Sequence, residues 1–356
     1  DVSGSFKKNK DFKDKYGDIK NGESQTTTEK GEATVIGTSL TAKSKIELLS
    51  EQKEPEIQEE QEKAEKDNED LIRFAKEKLG IDKVKVWDRA YVSEKLREAS
   101  YSYSDEEVRQ YFTLPTVFKG LFSLVEKLFS IRIKKGSAPV WHPDVEFFRV
   151  EDLKGNLLAE FYTDLYARET KRGGAWMDND LTREKLPDGH IETPITYLVC
   201  NFSRPLNGKP TLLTHDEVTT LFHEFGHGLH HMLTKVDVES LSGINGVEWD
   251  AVEMPSQFME NWAWNYEIIQ SITSHVDTKE AMPKELFDKL LAAKNFQSGL
   301  FCVRQLEFAL FDMLIHTKGG MTNHDFMKTL KDVQKEVAVF KSPDFVRFPQ
   351  SFSHIF

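Results

Sequence analysis

Cysteine is scarce: Cys200 and Cys302 are the only two in 356 residues. That excludes a disulfide-stapled scaffold or a cysteine-rich zinc module, and it fits a reducing compartment better than one long-range disulfide. No run of about 18 apolar residues occurs, so no membrane span is expected. Excess positive charge is also missing. Lys and Arg number 47 against 59 Asp and Glu, a net charge of -12. This argues against nucleic-acid binding and leaves cationic peptides tolerated as ligands. The chain opens on Asp1 rather than Met, so it is taken as a processed or partial product, and the lack of a targeting peptide says nothing of origin. The triplet "NFS" at 201–203 has the form of a glycosylation acceptor, but in a reduced protein it is read as chance.

What is present is a globular composition, 39% hydrophobic and 11% aromatic, long enough for one large or two ordinary domains. Residues 1–69 differ from the rest. "SEQKEPEIQEEQEKAEKDNED" is nearly all charged or amide and buries too little apolar surface to offset ordering entropy, although Glu/Lys pairs favour an exposed helix there. A boundary is expected near 66–70, with 1–69 a polar, charged segment and 70–356 a domain. Helical periodicity marks "LIRFAKEKLG" and 117–131. Two alternating runs, 145–150 and 157–162, flank the turn residues "DLKGN" and predict a hairpin. "ITYLVCNFS" at 195–203 is β-rich, and nearly everything after it is helical. The expected fold class is mostly α with a small β-sheet.

The chemistry concentrates in "THDEVTTLFHEFGHGLHHML". Thr214 and Glu217 form a capping box. Val218, Leu221, Phe222, Phe225, Leu229 and Met232 recur at helical spacing and give one apolar face. On another side His223 and His227 lie about 40° apart, with about 6 Å of rise between them, so their imidazoles can converge on one ion. With Glu224 between them the pattern is H-E-x-x-H, two zinc ligands and a glutamate placed to act as base. The alternative is a helix of solvated histidines. Against it, Gly226 and Gly228 each cost the helix roughly 1 kcal/mol relative to Ala, which suggests close approach of a neighbouring element, though plain helix packing is open too. His230 lies about 10 Å along the axis from His223, too far to share its ion. A third histidine in the extended motif would need Gly at 230 and His at 233, where this chain has His230 and Leu233. The third ligand must come from elsewhere. Glu239, Glu248, Glu253, Glu260 and Glu267 are candidates that spacing alone does not separate. "WDAVEMPSQFMENWAWNYEIIQ" predicts a second helix from near Asp250, with Asp250 as cap and Glu253 completing a capping box as the bland reading.

These residues, with "FYTDLYARETKRGGAWM", "YLVCNFSRP", "LLAAKNFQSGLFCVRQLEFALFD" and "RFPQSFSHIF", resemble the thimet oligopeptidase and oligopeptidase A family of zinc metallopeptidases from about residue 70 onward. The resemblance implies a thermolysin-like zinc-peptidase core in a helical oligopeptidase architecture. It implies one Zn2+ held by His223, His227 and Glu253, with Glu224 as general base. Glu260 matches a family glutamate that orients a zinc histidine, and His354 a histidine at the entry to a glycine- and tyrosine-rich substrate loop. Substrates would be short unstructured peptides cut at internal bonds, in a deep channel that excludes folded proteins. A monomer in the cytoplasm is expected, a mitochondrial or plastid matrix being the alternative. The family is longer on the N-terminal side, and the loop tyrosines have no counterpart here. The chain is therefore expected to be an incomplete catalytic domain with weak turnover, and the second hypothesis is a fragment that binds zinc and peptides or a partner without turnover. A purely structural zinc site is disfavoured, since such sites are usually closed and cysteine-rich. For "TYLVCNFS" two readings stand equally: an edge strand that pairs with a peptide backbone, or an ordinary core strand.

Overall fold

The computed structural model describes residues 42–205, 208–317, 320–340 and 342–351, with 42–57 as backbone alone. They fall in two compact units. One takes in the chain up to Leu96 together with Asn295 onward; the other is Arg97–Lys294.

The first unit is helical. Helix α1 (Ala42–Leu79) runs straight through the position where composition changes, supported on its exposed side by Lys63 pairing with Glu59 and Glu60 at 3.0 and 2.8 Å. Helix α2 (Arg89–Tyr101) adds Val92 to a small cluster with Leu71 and Ala75. Further on, the short helix α3 (Asp105–Arg109) and α4 (Leu114–Phe129) belong to the second unit.

That second unit is built on a five-stranded sheet of β1 (Ile131–Lys135), β2 (Glu146–Asp152), β3 (Leu157–Tyr166), β4 (Trp176–Leu181) and β7 (Ile195–Phe202), in the order β1-β2-β3-β7-β4. A two-residue ladder, β5 (Glu184–Lys185) with β6 (Ile191–Glu192), stands apart. The hairpin expected around "DLKGN" is present. Asp152 Oδ1 accepts the N–H groups of Lys154 and Asn156 at 2.8 and 2.9 Å, and Gly155 supplies φ +88°, a conformation that costs glycine little. β3 and β7 pair parallel, and β4 pairs antiparallel with β7. β7 is therefore an interior strand with neighbours on both sides, and its edge-strand reading is overturned. The strands at the two ends of the sheet are β1 and β4.

One face of the sheet is dry. Phe148 and Phe161 stack at 5.0 Å, and Phe225 of helix α5 (His215–Met232) meets Phe161 edge-on at 5.6 Å. The six apolar α5 residues named above are all buried, so this face fixes α5 against the sheet. Its start is the expected capping box: Thr214 Oγ1 accepts Glu217 N–H at 3.1 Å and Glu217 Oε2 accepts Thr214 N–H at 2.8 Å.

After α5 the predicted single helix is broken. Helix α6 (Met254–Glu260), a 3-10 turn (Asn261–Trp264) and α7 (Tyr266–Ile272) replace it, and α8 (Lys284–Ala292) closes the unit. Pro255 sits in the first turn of α6, where its missing N–H costs nothing. Back in the first unit, α9 (Ser298–Thr317), α10 (Asn323–Val337) and α11 (Phe348–Ser351) follow. Gly299 of α9 lies against the backbone of Lys63 and Ala64, and Phe311 packs with Leu330, Val333 and Val337. Both cysteines are unpaired. No helix among the described residues is long and apolar enough to cross a membrane.

Candidate metal centre

The centre forms where α5 meets the N-terminus of α6. His223 and His227 project from one side of α5, their rings 4.9 Å apart and almost perpendicular. Glu253 is the residue before α6 and does not cap it; the capping-box reading fails because Glu253 itself occupies the cap position. Its carboxylate points at α5 instead, with Oε2 3.2 Å from His223 Nε2 and 3.1 Å from His227 Nε2. Four-coordinate ligands about 2.0–2.1 Å from one zinc ion stand roughly 3.3 Å apart. The two imidazole–carboxylate distances therefore already match edges of a zinc tetrahedron, and the ligand atoms of all three residues lie within 4.8 Å of one another. The donor set fits as well: two imidazoles and one carboxylate leave a fourth position open, the pattern of catalytic zinc sites. Among the described residues this is the one group of three or more potential ligands brought together. Glu239, Glu248 and Glu267 are not part of it.

Two further residues hold the ligands in place. Glu260 Oε1 lies 2.7 Å from His223 Nδ1, which assigns the proton to Nδ1 and turns the Nε2 lone pair toward Glu253. Ser256, fully buried, donates its hydroxyl to Glu253 Oε2 at 2.8 Å. Sequence reasoning missed Ser256, whose only signal was its position three residues after Glu253. Burial also lowers the basicity of His227 and so favours the neutral imidazole that a metal needs. Replacing Glu260 with Gln is expected to weaken zinc binding about 10- to 100-fold, measured by competition with a chromophoric chelator. An unchanged affinity would show that the contact does not orient His223.

Glu224 is only 8% exposed. Burial, more than any charge, pushes its carboxyl up to about 7; Glu253 adds to the rise, while His223 and a hydrogen bond from Met177 N–H oppose it. Met177 lies on β4. Helix α5 packs against β4, the strand at this end of the sheet, so Glu224 lies beside it. This link was invisible in the sequence.

The other histidines separate cleanly. Buried His231 accepts Ile244 N–H on Nδ1 at 3.3 Å, leaving Nε2 to donate to Leu181 O at 3.1 Å. It ties the end of α5 to β4 and joins no metal cluster, and neither does His230. His215, the first residue of α5, donates Nε2–H to Ala263 O at 2.8 Å and so links α5 to the segment after α6. His354 lies outside the described residues.

Burial lowers the pKa of His215, so the unfolded chain takes up this proton first. Its contribution to stability is full above the unfolded value of about 6.5 and is lost as pH falls below it, by at most about 1.4 kcal/mol per pH unit. Urea unfolding at pH 7.5 and 5.5 should therefore show a larger loss for the wild type than for His215→Gln, which keeps the donor without the titration. Equal losses would refute the linkage.

A model of peptidase family M3 matches residues 47–356. The chain belongs to peptidase family M3. It is 52% identical over 294 residues to oligopeptidase A of Escherichia coli (strain K12), covering 82% of this chain and 43% of that protein. It is 46% identical over 306 residues to the chloroplastic/mitochondrial organellar oligopeptidase A of Arabidopsis thaliana, covering 82% and 38% respectively. Saccharolysin of Saccharomyces cerevisiae is 32% identical over 265 residues, covering 72% and 37%. The chain thus spans less than half the length of these relatives. Family membership and donor geometry agree on a single zinc-binding site formed by His223, His227 and Glu253.

Proposed function

We propose that the chain carries the catalytic centre of a zinc-dependent endopeptidase that hydrolyses internal bonds of short, unstructured oligopeptides. The observation that supports this most is the placement of Glu224: a buried carboxyl beside two converged imidazoles, next to Met177 on the end strand β4. A peptide backbone laid along β4 gains main-chain hydrogen bonds by strand addition and passes directly over this carboxyl. When bound, zinc supplies Lewis acidity to the scissile carbonyl and to water. Glu224 takes the proton of the attacking water and returns it to the leaving amine, and a carboxyl poised near neutrality suits both transfers. His223, His227 and Glu253 are the ligands, with Glu260 orienting His223. His354 is assigned to substrate contact on the family resemblance alone. The catalytic domain is taken as residues 70–356, and the complete protein as a monomer. The net charge of -12 supports peptides rather than nucleic acid as partners. The compartment is the cytoplasm, which suits two unpaired cysteines.

A second reading is favoured by one observation, the 43% share of the E. coli relative that the chain spans: a fragment that binds zinc and peptide without turnover. Zinc stoichiometry by equilibrium dialysis and cleavage of internally quenched peptides separate the two. One zinc per chain with chelator-sensitive cleavage supports the endopeptidase. One zinc without cleavage supports the binding fragment. A folded chain that holds no zinc overturns both.

A further inference from the structure

The face of the sheet turned away from α5 carries an aromatic shelf that the metal centre does not use. Tyr162 on β3 and Tyr197 on β7 are register partners, and their rings stack at 5.5 Å and 29°. Trp141 leans on both, at 5.4 and 5.5 Å, and Phe147 extends the row at 4.9 Å from Tyr162. Trp141 is 52% exposed yet fixed in orientation. Its Nε1–H donates to Asp164 Oδ2 at 3.1 Å, and Arg168 grips both oxygens of that carboxylate at 2.6 Å.

Beside the shelf, on β4, stand two exposed carboxylates. Asp178 lies opposite Tyr197 in the β4–β7 register, and Asp180 falls at the irregular step that follows. Among the described residues neither aspartate forms a salt bridge; Lys171 pairs with Asp164 and Arg183 with Asp237 instead. Both phenols are held above the usual tyrosine range, chiefly by burial and then by the surrounding carboxylates, Glu160 and Asp180 for Tyr162 and Asp180 and Asp178 for Tyr197. The face is thus aromatic and electronegative at once, with two acids lacking a cation.

We propose that Asp178, Asp180 and the Tyr197 edge of this shelf form a subsite for a cationic side chain, arginine or lysine, of a peptide laid along β4. The proposal rests on the strand-addition reading of the site given above. Side chains of an added strand point alternately to the two faces of the sheet. Those on the α5 face sit over Glu224 and the metal ligands; those on the other face sit beside Asp178. An added strand lies about 4.8 Å from β4 and roughly 9.6 Å from β7, so an arginine reaching inward meets the two carboxylates first and the Tyr197 ring behind them. A guanidinium there takes charge-assisted hydrogen bonds and a ring contact together. The subsite would make cleavage depend on a basic residue at a fixed offset from the scissile bond.

The test uses the full zinc-loaded chain carrying Glu224→Gln, so that the probes survive. The probes are fluorescein-labelled Ala/Gly octapeptides with a single arginine, or with citrulline, its neutral isostere, at each position in turn. By fluorescence anisotropy, arginine should bind about tenfold more tightly than citrulline at one register. That ratio should fall toward one in Asp178→Asn/Asp180→Asn. In Asp178→Lys/Asp180→Lys a glutamate probe should outbind the arginine probe, an inversion that loss of folding cannot produce. Binding of both probes with no preference in the unaltered subsite, or a preference that survives the paired substitutions, overturns the subsite and leaves the peptidase reading standing. No binding of either probe overturns the subsite together with strand addition.

Discussion

Replacing Glu224 with Gln is expected to slow peptide hydrolysis by about 10²- to 10⁴-fold, the usual worth of a positioned acid–base group, while zinc binding stays intact. The substitution is close to isosteric, and the amide oxygen can still accept from Met177 N–H on β4. What disappears is the capacity to take a proton. None of the three ligand atoms is touched, because Glu224 is not among the residues whose ligand atoms converge. The fold should not suffer either. Most of the rise in the Glu224 pKa comes from burial, which penalises the ionised form, and a neutral amide avoids that penalty. Above pH 7 the variant should therefore be at least as resistant to urea as the wild type. The decisive measurement is kcat/KM on an internally quenched peptide set beside zinc affinity from chelator competition. A variant that keeps both its zinc and more than a tenth of its rate would remove Glu224 from the role of base.

How far the sequence foretold the molecule depends on the range of the interaction concerned. Short-range features were legible. The capping box at Thr214, the apolar face of α5 and the 40° offset of His223 from His227 follow from helix geometry within one segment. The same holds for the hairpin at Asp152, where turn residues decide. Features set by pairing between distant segments were not. "TYLVCNFS" looks the same as an edge strand or a core strand, and only its flanking by β3 and β4 decides. The carboxylate that joins the histidines was not separable by spacing, because the bend between α5 and α6 determines it. The long helix predicted from Asp250 fails for a related reason: Pro255 sets the start at Met254, and the tertiary demand to bring Glu253 and Glu260 to the two nitrogens of one imidazole governs the rest. Met177 carried no signal at all, since its role uses only its backbone N–H.

The two glycines in α5 show the same division, and they separate under mutation. A Cβ on Gly226 would lie 2.7 Å from both Pro255 O and Ser256 Cα, and 3.1 Å from Met259 Cγ. Two of these are backbone atoms and cannot swing aside, so Gly226→Ala must push α6 away from α5. A Cβ on Gly228 would meet nothing closer than Met232 Cε at 3.6 Å and Thr196 Oγ1 at 3.9 Å, which is ordinary contact. Close approach therefore accounts for Gly226 and leaves Gly228 without a packing reason. Gly226→Ala is expected to destabilise the protein by about 1–3 kcal/mol, the cost of overpacking a tight contact. It should also weaken zinc binding, because the displaced segment carries Glu253 and the Ser256 hydroxyl that holds it. Gly228→Ala should instead stabilise by up to about 1 kcal/mol through helix propensity and leave zinc affinity unchanged. Urea unfolding and chelator competition on the two variants check both signs. If Gly226→Ala were as benign as Gly228→Ala, the spacing between α5 and α6 could not be what holds Glu253 at the imidazoles.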